Sequence, residues 1–256
     1  MTSIVRLFLT AVVINLFSGH LLATDGTLSE NIRIDSAKLG YALQYRVYTP
    51  SGYEDVFNLP TLYVTDGQWY LSEGELHRVL DKEIEKGNIE PVIAIFVDNR
   101  NPDNLRENRR NHQFFCVAEY VDFFRHELVP TISNNYKVSA KRSDRVILGV
   151  SFGGLNAGCF GIMANDVFEG IAMQSPAMHP VPSLYEAYAK EAKRPIKVFL
   201  SAGDENDITR RSLKLKRALE KQGYPVMFKK NSHSHNWSNW RPMLDDLLVY
   251  FFQKEP

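Results

Sequence analysis

Cysteine is scarce in this chain: Cys116 and Cys159 are the two in 256 residues, and their spacing suits no metal centre. Excess charge is absent as well. Lys+Arg and Asp+Glu both number 30, which argues against nucleic acid or another polyanion as the partner, although local patches remain open. No internal repeat, low-complexity stretch or interdomain linker interrupts the chain. With 44% hydrophobic residues it can bury one large core, so residues 24–256 are expected to form a single domain. Apolar runs long enough for a permanent membrane span are also missing.

The longest apolar run is short and terminal. One positive charge in Met1–Arg6 precedes the apolar stretch Leu7–Phe17, and Ala23 closes the segment before polar Thr24-Asp25-Gly26. This is the pattern of a secretory signal over residues 1–23, with cleavage after Ala23. An uncleaved anchor or an amphipathic N-terminal helix is the alternative. The mature protein is expected in the periplasm or outside the cell, without a stable membrane span.

The remaining pattern is α/β. Asn31–Asp35 and Tyr41–Tyr48 alternate as half-exposed antiparallel strands do. Leu62–Thr65 and the almost wholly apolar Pro91–Val97 read as buried strands, the latter as a central parallel strand covered on both faces. Leu71–Lys86 reads as one helix stopped by Gly87. Asp98–Phe115 is a polar loop with four arginines, of a length that is functional or mobile when it has no core of its own. Val117, Tyr120, Val121, Phe124 and Leu128 form a helical stripe. Further strands are expected at Arg145–Leu148, Phe168–Gln174, Ile196–Leu200 and Val226–Phe228, with helices near 208–219 and 244–251. The order predicts a mostly parallel central sheet with an antiparallel N-terminal edge and helices on both faces.

The chain is organised around Gly149-Val150-Ser151-Phe152-Gly153-Gly154. A strand ending in G-x-S-x-G and turning straight into a helix is the nucleophile elbow of α/β-hydrolases. The glycines leave room for a tight turn that points the serine hydroxyl out of the fold. An activated serine needs a base, and the base an orienting acid, in the chain order Ser, Asp/Glu, His. Ser201-Ala202-Gly203-Asp204-Glu205-Asn206-Asp207 follows one strand, and His233-Ser234-His235 follows the last. Both segments thus reach the sheet edge that carries Ser151, where ligands bind in open α/β sheets.

Four stretches resemble the esterase-D/enterochelin-esterase group of α/β-hydrolases, which also includes feruloyl esterases and mycolyltransferases. These are Leu62–Gln68 with its Asp-Gly, the elbow, Gly203 with its acidic cluster, and His235-Asn236-Trp237-Ser238-Asn239-Trp240-Arg241, which resembles a His-x-Trp-x-x-Trp-Arg signature. The resemblance implies Ser151 as nucleophile and His235 as base, with His233 as the competing histidine. It implies an oxyanion hole made by the backbone N–H groups of Phe152 and Gln68. Relatives place the acid three residues after the glycine, where this chain has Asn206, so Asp207 and Glu205 both remain candidates. Asp207 could instead cap the helix near Ile208, and Glu205 could be a solvated loop charge.

Trp237, Trp240 and Arg241 are candidate substrate-binding residues, with packing of the histidine loop the alternative for the tryptophans and an acidic partner for Arg241. Arg106, Arg109 and Arg110 could read an anionic or catechol-bearing substrate or form a solvated charge run. Cys159 reads as a small buried thiol, with a Cys116 disulfide left open. These residues predict a serine carboxyl-ester hydrolase acting on a small-molecule or carbohydrate-linked ester, a siderophore ester or an acylated or feruloylated polysaccharide. It would need no metal and no organic cofactor. An acyltransferase, or a non-catalytic binding module on the same scaffold, are the competing readings.

Overall fold

A computed structural model of the chain describes residues 25–254, so the expected secretory segment lies outside the described residues. The chain opens with β1 (Thr27–Leu28), β2 (Ile32–Ser36), β3 (Tyr41–Thr49) and β4 (Thr61–Val64). Helices α1 (Gly67–Ser72) and α2 (Leu76–Glu85) lead to β5 (Ile93–Asp98), and a small hairpin of β6 (Arg100–Asn101) and β7 (Asn104–Asn108) follows. Next come α3 (Arg110–Gln113), α4 (Ala118–Phe123), α5 (Val129–Asn135), β8 (Arg145–Val150) and α6 (Phe152–Met163). The C-terminal part is β9 (Gly170–Gln174), α7 (Pro182–Lys190), β10 (Lys197–Gly203), α8 (Thr209–Lys221), β11 (Val226–Asn231), α9 (Trp237–Trp240) and α10 (Leu244–Phe252).

Among the described residues the main sheet has the order β1-β3-β5-β4-β8-β9-β10-β11, with β2 also paired to β3. β1, β2 and β3 are antiparallel to their neighbours, and every pairing from β5 through β11 is parallel. The expected α/β architecture is therefore present. Period-2 alternation explains its two core layers. Ile93, Ile95 and Val97 join one cluster with Tyr63, Phe124 and Phe160, while Ala94 and Phe96 join the other with Leu62, Leu244 and Leu248. Both faces are covered, as near-continuous apolar parallel strands require. The parallel strands end on one edge, which gathers the loops after β4, β8, β9, β10 and β11.

Three local expectations need correction. The helix expected over Leu71–Lys86 is two helices, broken where Glu75 takes φ 46. Glycine suits the turn at position 74, because a Cβ there would stand 2.8 Å from the Tyr70 carbonyl. The polar loop after Asp98 has structure of its own, the β6–β7 hairpin and α3, because Asn99, Asn101, Asn104 and Asn108 spend their side chains on local hydrogen bonds. Cys159 is no free thiol. It is bonded to Cys116 and thereby ties the end of this segment to α6.

Candidate active site

Ser151 occupies the turn between β8 and α6 with φ 57 and ψ −115, a conformation that non-glycine residues rarely hold. The turn is over-determined by its surroundings. Ser151 N–H donates to the Gln174 carbonyl at 2.8 Å, and the Ser151 carbonyl accepts from Ala177 N–H and Leu155 N–H at 3.0 Å each. A Cβ on Gly149 would collide with the Gly153 carbonyl, and one on Gly154 would stand 2.9 Å from the Gln174 carbonyl. The crowding expected across the turn is present at Gly149, whereas at Gly153 a Cβ would meet Asp66 Oδ2 at 2.9 Å and Thr65 Oγ1 at 3.2 Å.

His235 reaches the serine from the loop after β11. Its Nε2 is 2.8 Å from Ser151 Oγ, and its Nδ1 is 2.6 Å from Asp207 Oδ1. Asp207 is fully buried on its side-chain atoms. Oδ2 of Asp207 accepts from Ser175 Oγ at 2.7 Å, Gly203 N–H at 2.5 Å and Asn239 Nδ2 at 2.9 Å, while Oδ1 also accepts from Ile208 N–H at 2.7 Å. Burial pushes this carboxyl upward, but the hydrogen bonds from His235, Gly203, Ser175 and Ile208 outweigh it and hold the group at about 2. It stands ready as an anion facing the imidazole.

The acid candidates are thereby separated by position. Asp207 faces His235, whereas Glu205 is exposed and touches the histidine loop through its backbone N–H, 3.5 Å from the His233 carbonyl. Helix α8 begins after Ile208, one residue beyond Asp207, so Asp207 does not cap it. Between the two candidates, Asn206 adopts the left-handed φ 48. His233 is exposed, and its carbonyl packs so closely on Gly203 that no side chain fits there.

Gln68 and Phe152 lie in the first turns of α1 and α6, where backbone N–H groups have no intrahelical acceptor. The strands that deliver them, β4 and β8, are parallel neighbours with Val64 opposite Leu148. Both N–H groups also sit at positive helix-dipole ends on the serine's edge of the sheet. Gly67 permits the approach, since a Cβ there would enter the Phe96–Val97 backbone.

Of the expected substrate contacts, Trp240 is 7% exposed and supports the site from beneath. Its ring meets His235 edge-on at 5.0 Å, and its Nε1 donates to Ser175 Oγ at 2.9 Å. Trp237 packs edge-on against Tyr70 at 5.1 Å and Trp240 at 5.4 Å. Arg241 pairs with Glu75. One cleft of about 400 Å³ is lined by Pro176, Met178, His179, Tyr185, Glu186 and Arg211, with His179 5.4 Å from the Phe152 ring, and another of about 400 Å³ is lined by Gln68, Arg46, His77, Asp98 and Arg100.

Sequence reasoning missed two sets of residues. Ser175 and Asn239 both donate to Asp207 Oδ2, yet nothing in their local pattern marks them. Arg110 is not part of a solvated charge run: its guanidinium makes a forked pair with Asp66, whose side chain is fully buried, and lies among the rings of Trp69, Phe114 and Phe152 at 5.3–5.7 Å. Arg109 pairs with Glu107 and stacks on Tyr41 at 4.4 Å, while Arg106 is exposed. Burial raises the Asp66 carboxyl to about 6 despite the opposing effect of Arg110.

Comparison with known proteins places this geometry in context. The family described as "Putative esterase" matches residues 36–251. The chain is 24% identical over 234 residues to the protein YjcH of Bacillus subtilis, covering 88% of this chain and 97% of that one. It is 24% identical over 159 residues to the iron(III) enterobactin esterase of Yersinia enterocolitica, covering 62% of this chain and 44% of the relative. Among solved structures, a ferulic acid esterase superposes with TM-score 0.77 at 20% identity, covering 90% of this chain and 99% of the other. The enterobactin esterase of Shigella flexneri, crystallised in the presence of enterobactin, also gives TM-score 0.77 at 20% identity, with 87% of this chain matched to 58% of that one.

Proposed function

Because the chain belongs to the putative-esterase family of carboxylic ester hydrolases, we propose that it hydrolyses its ester through Ser151, His235 and Asp207. The observation that carries this reading is the unbroken line from Ser151 Oγ to His235 to Asp207, at 2.8 and 2.6 Å. Ser151 Oγ attacks the ester carbonyl carbon while His235 Nε2 takes the hydroxyl proton. Negative charge that develops on the carbonyl oxygen is met by the N–H groups of Phe152 and Gln68. As the tetrahedral intermediate collapses, the ester C–O bond breaks and the imidazolium returns its proton to the leaving alkoxide. A water molecule, deprotonated by the same histidine, then attacks the acyl-enzyme and releases the acid and free serine. Throughout, Asp207 holds the imidazole in the tautomer with Nδ1 protonated and offsets the charge of the imidazolium.

The substrate is an exported ester, of the siderophore type or an acyl or feruloyl group on polysaccharide. The names of the similar enzymes support this class. The Cys116–Cys159 disulfide supports an oxidising compartment, in agreement with the N-terminal secretory pattern. The cleft that contains His179, with aromatic and aliphatic walls and both Glu186 and the cations Arg211 and Lys214, has room for an acyl or catechol ring. The test is hydrolysis of a siderophore trilactone, a methyl hydroxycinnamate, an acetylated sugar and a short p-nitrophenyl ester by purified protein and by Ser151→Ala. The wild type should cleave at least one class, and Ser151→Ala should lose more than nine-tenths of kcat, since removing a nucleophile costs many powers of ten. Equal activity in both proteins would end the proposal.

A further inference from the structure

Asp66 and Arg110 lie outside the line of reacting groups, yet they contact both walls of the expected oxyanion hole. Asp66 immediately precedes Gly67-Gln68 and holds the left-handed φ 58, ψ 33 while capping α1. Its carbonyl accepts from Trp69 N–H at 2.9 Å and Tyr70 N–H at 3.2 Å. Arg110 Nε donates to Asp66 Oδ1 at 2.9 Å and Oδ2 at 3.0 Å, and Nη2 donates to Oδ2 at 2.8 Å. The same Nη2 donates to the Val150 carbonyl at 2.9 Å, one residue before Ser151. On the far side the carboxylate is wedged against the elbow, where a Cβ on Gly153 would stand 2.9 Å from Asp66 Oδ2.

A second chain of contacts ends at the same place. Gln68 Nε2 donates to Asn99 Oδ1 at 2.5 Å, and Asn99 Nδ2 donates to Asn108 Oδ1 at 2.8 Å. Asn108 Oδ1 in turn accepts from the Arg110 N–H at 2.9 Å. Gln68 is thus held through its backbone by Asp66 and through its side chain by the hairpin, and both routes meet at Arg110. Stability is a poor reason for this arrangement. Burying a carboxylate with one counterion gives little net stabilisation, and a non-glycine residue in the left-handed region is itself costly. Orientation is the better reason, because a guanidinium fork fixes direction as well as distance.

We propose that Arg110 is a positioning residue of the oxyanion hole: by gripping Asp66 and the Val150 carbonyl together, it sets the Gln68 and Phe152 N–H groups at the separation a tetrahedral intermediate requires. This rests on the Ser151 reading above. The alternative role, recognition of an anionic substrate by Arg110, would appear in KM. A positioning role appears in kcat and in affinity for a mimic of the tetrahedral oxyanion.

The experiment compares wild type, Ser151→Ala, Arg110→Lys and Arg110→Ala on the best p-nitrophenyl ester, with rates expressed per folded molecule from near-UV circular dichroism. Arg110→Lys keeps the charge but cannot serve Asp66 and Val150 at once. It should lower kcat by about a hundredfold, the scale of losing one oxyanion donor, with KM changed less than about threefold. Affinity for an arylboronic acid should fall in parallel with kcat/KM. Added guanidinium ion should restore part of kcat in Arg110→Ala and none in Arg110→Lys. If Arg110→Ala does not fold, Arg110→Lys decides alone. The proposal is overturned if Arg110→Lys keeps kcat within about threefold of wild type, or if its loss falls on KM. Wild-type hydrolysis that Ser151→Ala leaves intact would overturn the nucleophile reading and this proposal with it, and is a separate outcome.

Discussion

Asp207 Oδ1 stands 2.6 Å from His235 Nδ1, and the fully buried Asp207 side chain has its second oxygen held by Ser175, Gly203 and Asn239. An oxygen fixed by three donors leaves its partner oxygen little freedom to leave the imidazole. Asp207→Asn should therefore lower kcat by about 10⁴, because the amide favours the wrong histidine tautomer. Glu205→Gln, on an exposed side chain, should stay within about threefold of wild type. Steady-state kinetics on both single variants and the double checks this. A double variant no worse than Asp207→Asn identifies Asp207 as the orienting acid, and a large loss in Glu205→Gln would refute the assignment.

Gly203 tests the same apposition from the backbone. Its N–H donates to Asp207 Oδ2, and a Cβ here would run into the His233 carbonyl and come within 2.7 Å of Asn239 Nδ2. Gly203→Ala must push the histidine loop away from the acid loop. A loss of about 1–3 kcal/mol in stability is expected from such overpacking. A displacement near 1 Å at the site should also lower kcat by about a hundredfold. Chemical denaturation and kinetics on this single variant measure both, and an unchanged kcat would show that the two loops are not coupled.

What could be read beforehand follows from the range of each physical cause. The elbow was legible because the crowding of Gly149 against the Gly153 carbonyl is settled within five residues. The strands of the parallel sheet were legible because residues covered on both faces, such as Ile93–Val97, must be apolar throughout. Asp207 and Glu205 stayed a pair, since which carboxylate faces His235 depends on how the acid loop folds around the left-handed Asn206. Arg110 reads from the sequence as a substrate contact or part of a solvated charge run, because its partner Asp66 lies 44 positions away. The Cys116–Cys159 bond, 43 positions apart, was left open for the same reason, and the buried thiol expected of Cys159 gave way to it.

That disulfide closes a loop containing α4, α5 and β8, and it anchors the segment just after Arg110 to the elbow helix α6. Cross-linking residues 43 positions apart should stabilise the fold by about 4 kcal/mol on the chain-entropy account. Replacing both cysteines with serine should lower the thermal midpoint by several degrees or more, and dithiothreitol should do the same to the wild type. Below its own midpoint the variant should retain kcat within a few-fold, because neither sulfur touches the reacting groups. Calorimetry with and without reductant checks the first point. A midpoint indifferent to both treatments would contradict it.

Asp66 and Asp207 should leave opposite marks on the pH dependence of stability. Asp207 is held at about 2, below the ordinary carboxylate value, so its contribution is complete above about pH 4 and is lost as pH falls toward 2. Asp66 is raised to about 6, chiefly by burial, so the folded state holds its proton more firmly than the unfolded chain does. Between about pH 4 and pH 6 the folded state therefore carries more protons, and stability falls as pH rises through that window. A shift of this size corresponds to a penalty on the order of 2–3 kcal/mol at neutral pH. Asp66→Asn removes the titration and also leaves Arg110 without its counterion. The second effect is a constant offset, whereas the first is a slope. Urea unfolding at pH 4, 5, 6 and 7 separates them: Asp66→Asn should gain relative to wild type as pH rises from 4 to 7. Parallel curves for the two proteins across that range would mean that Asp66 does not titrate there.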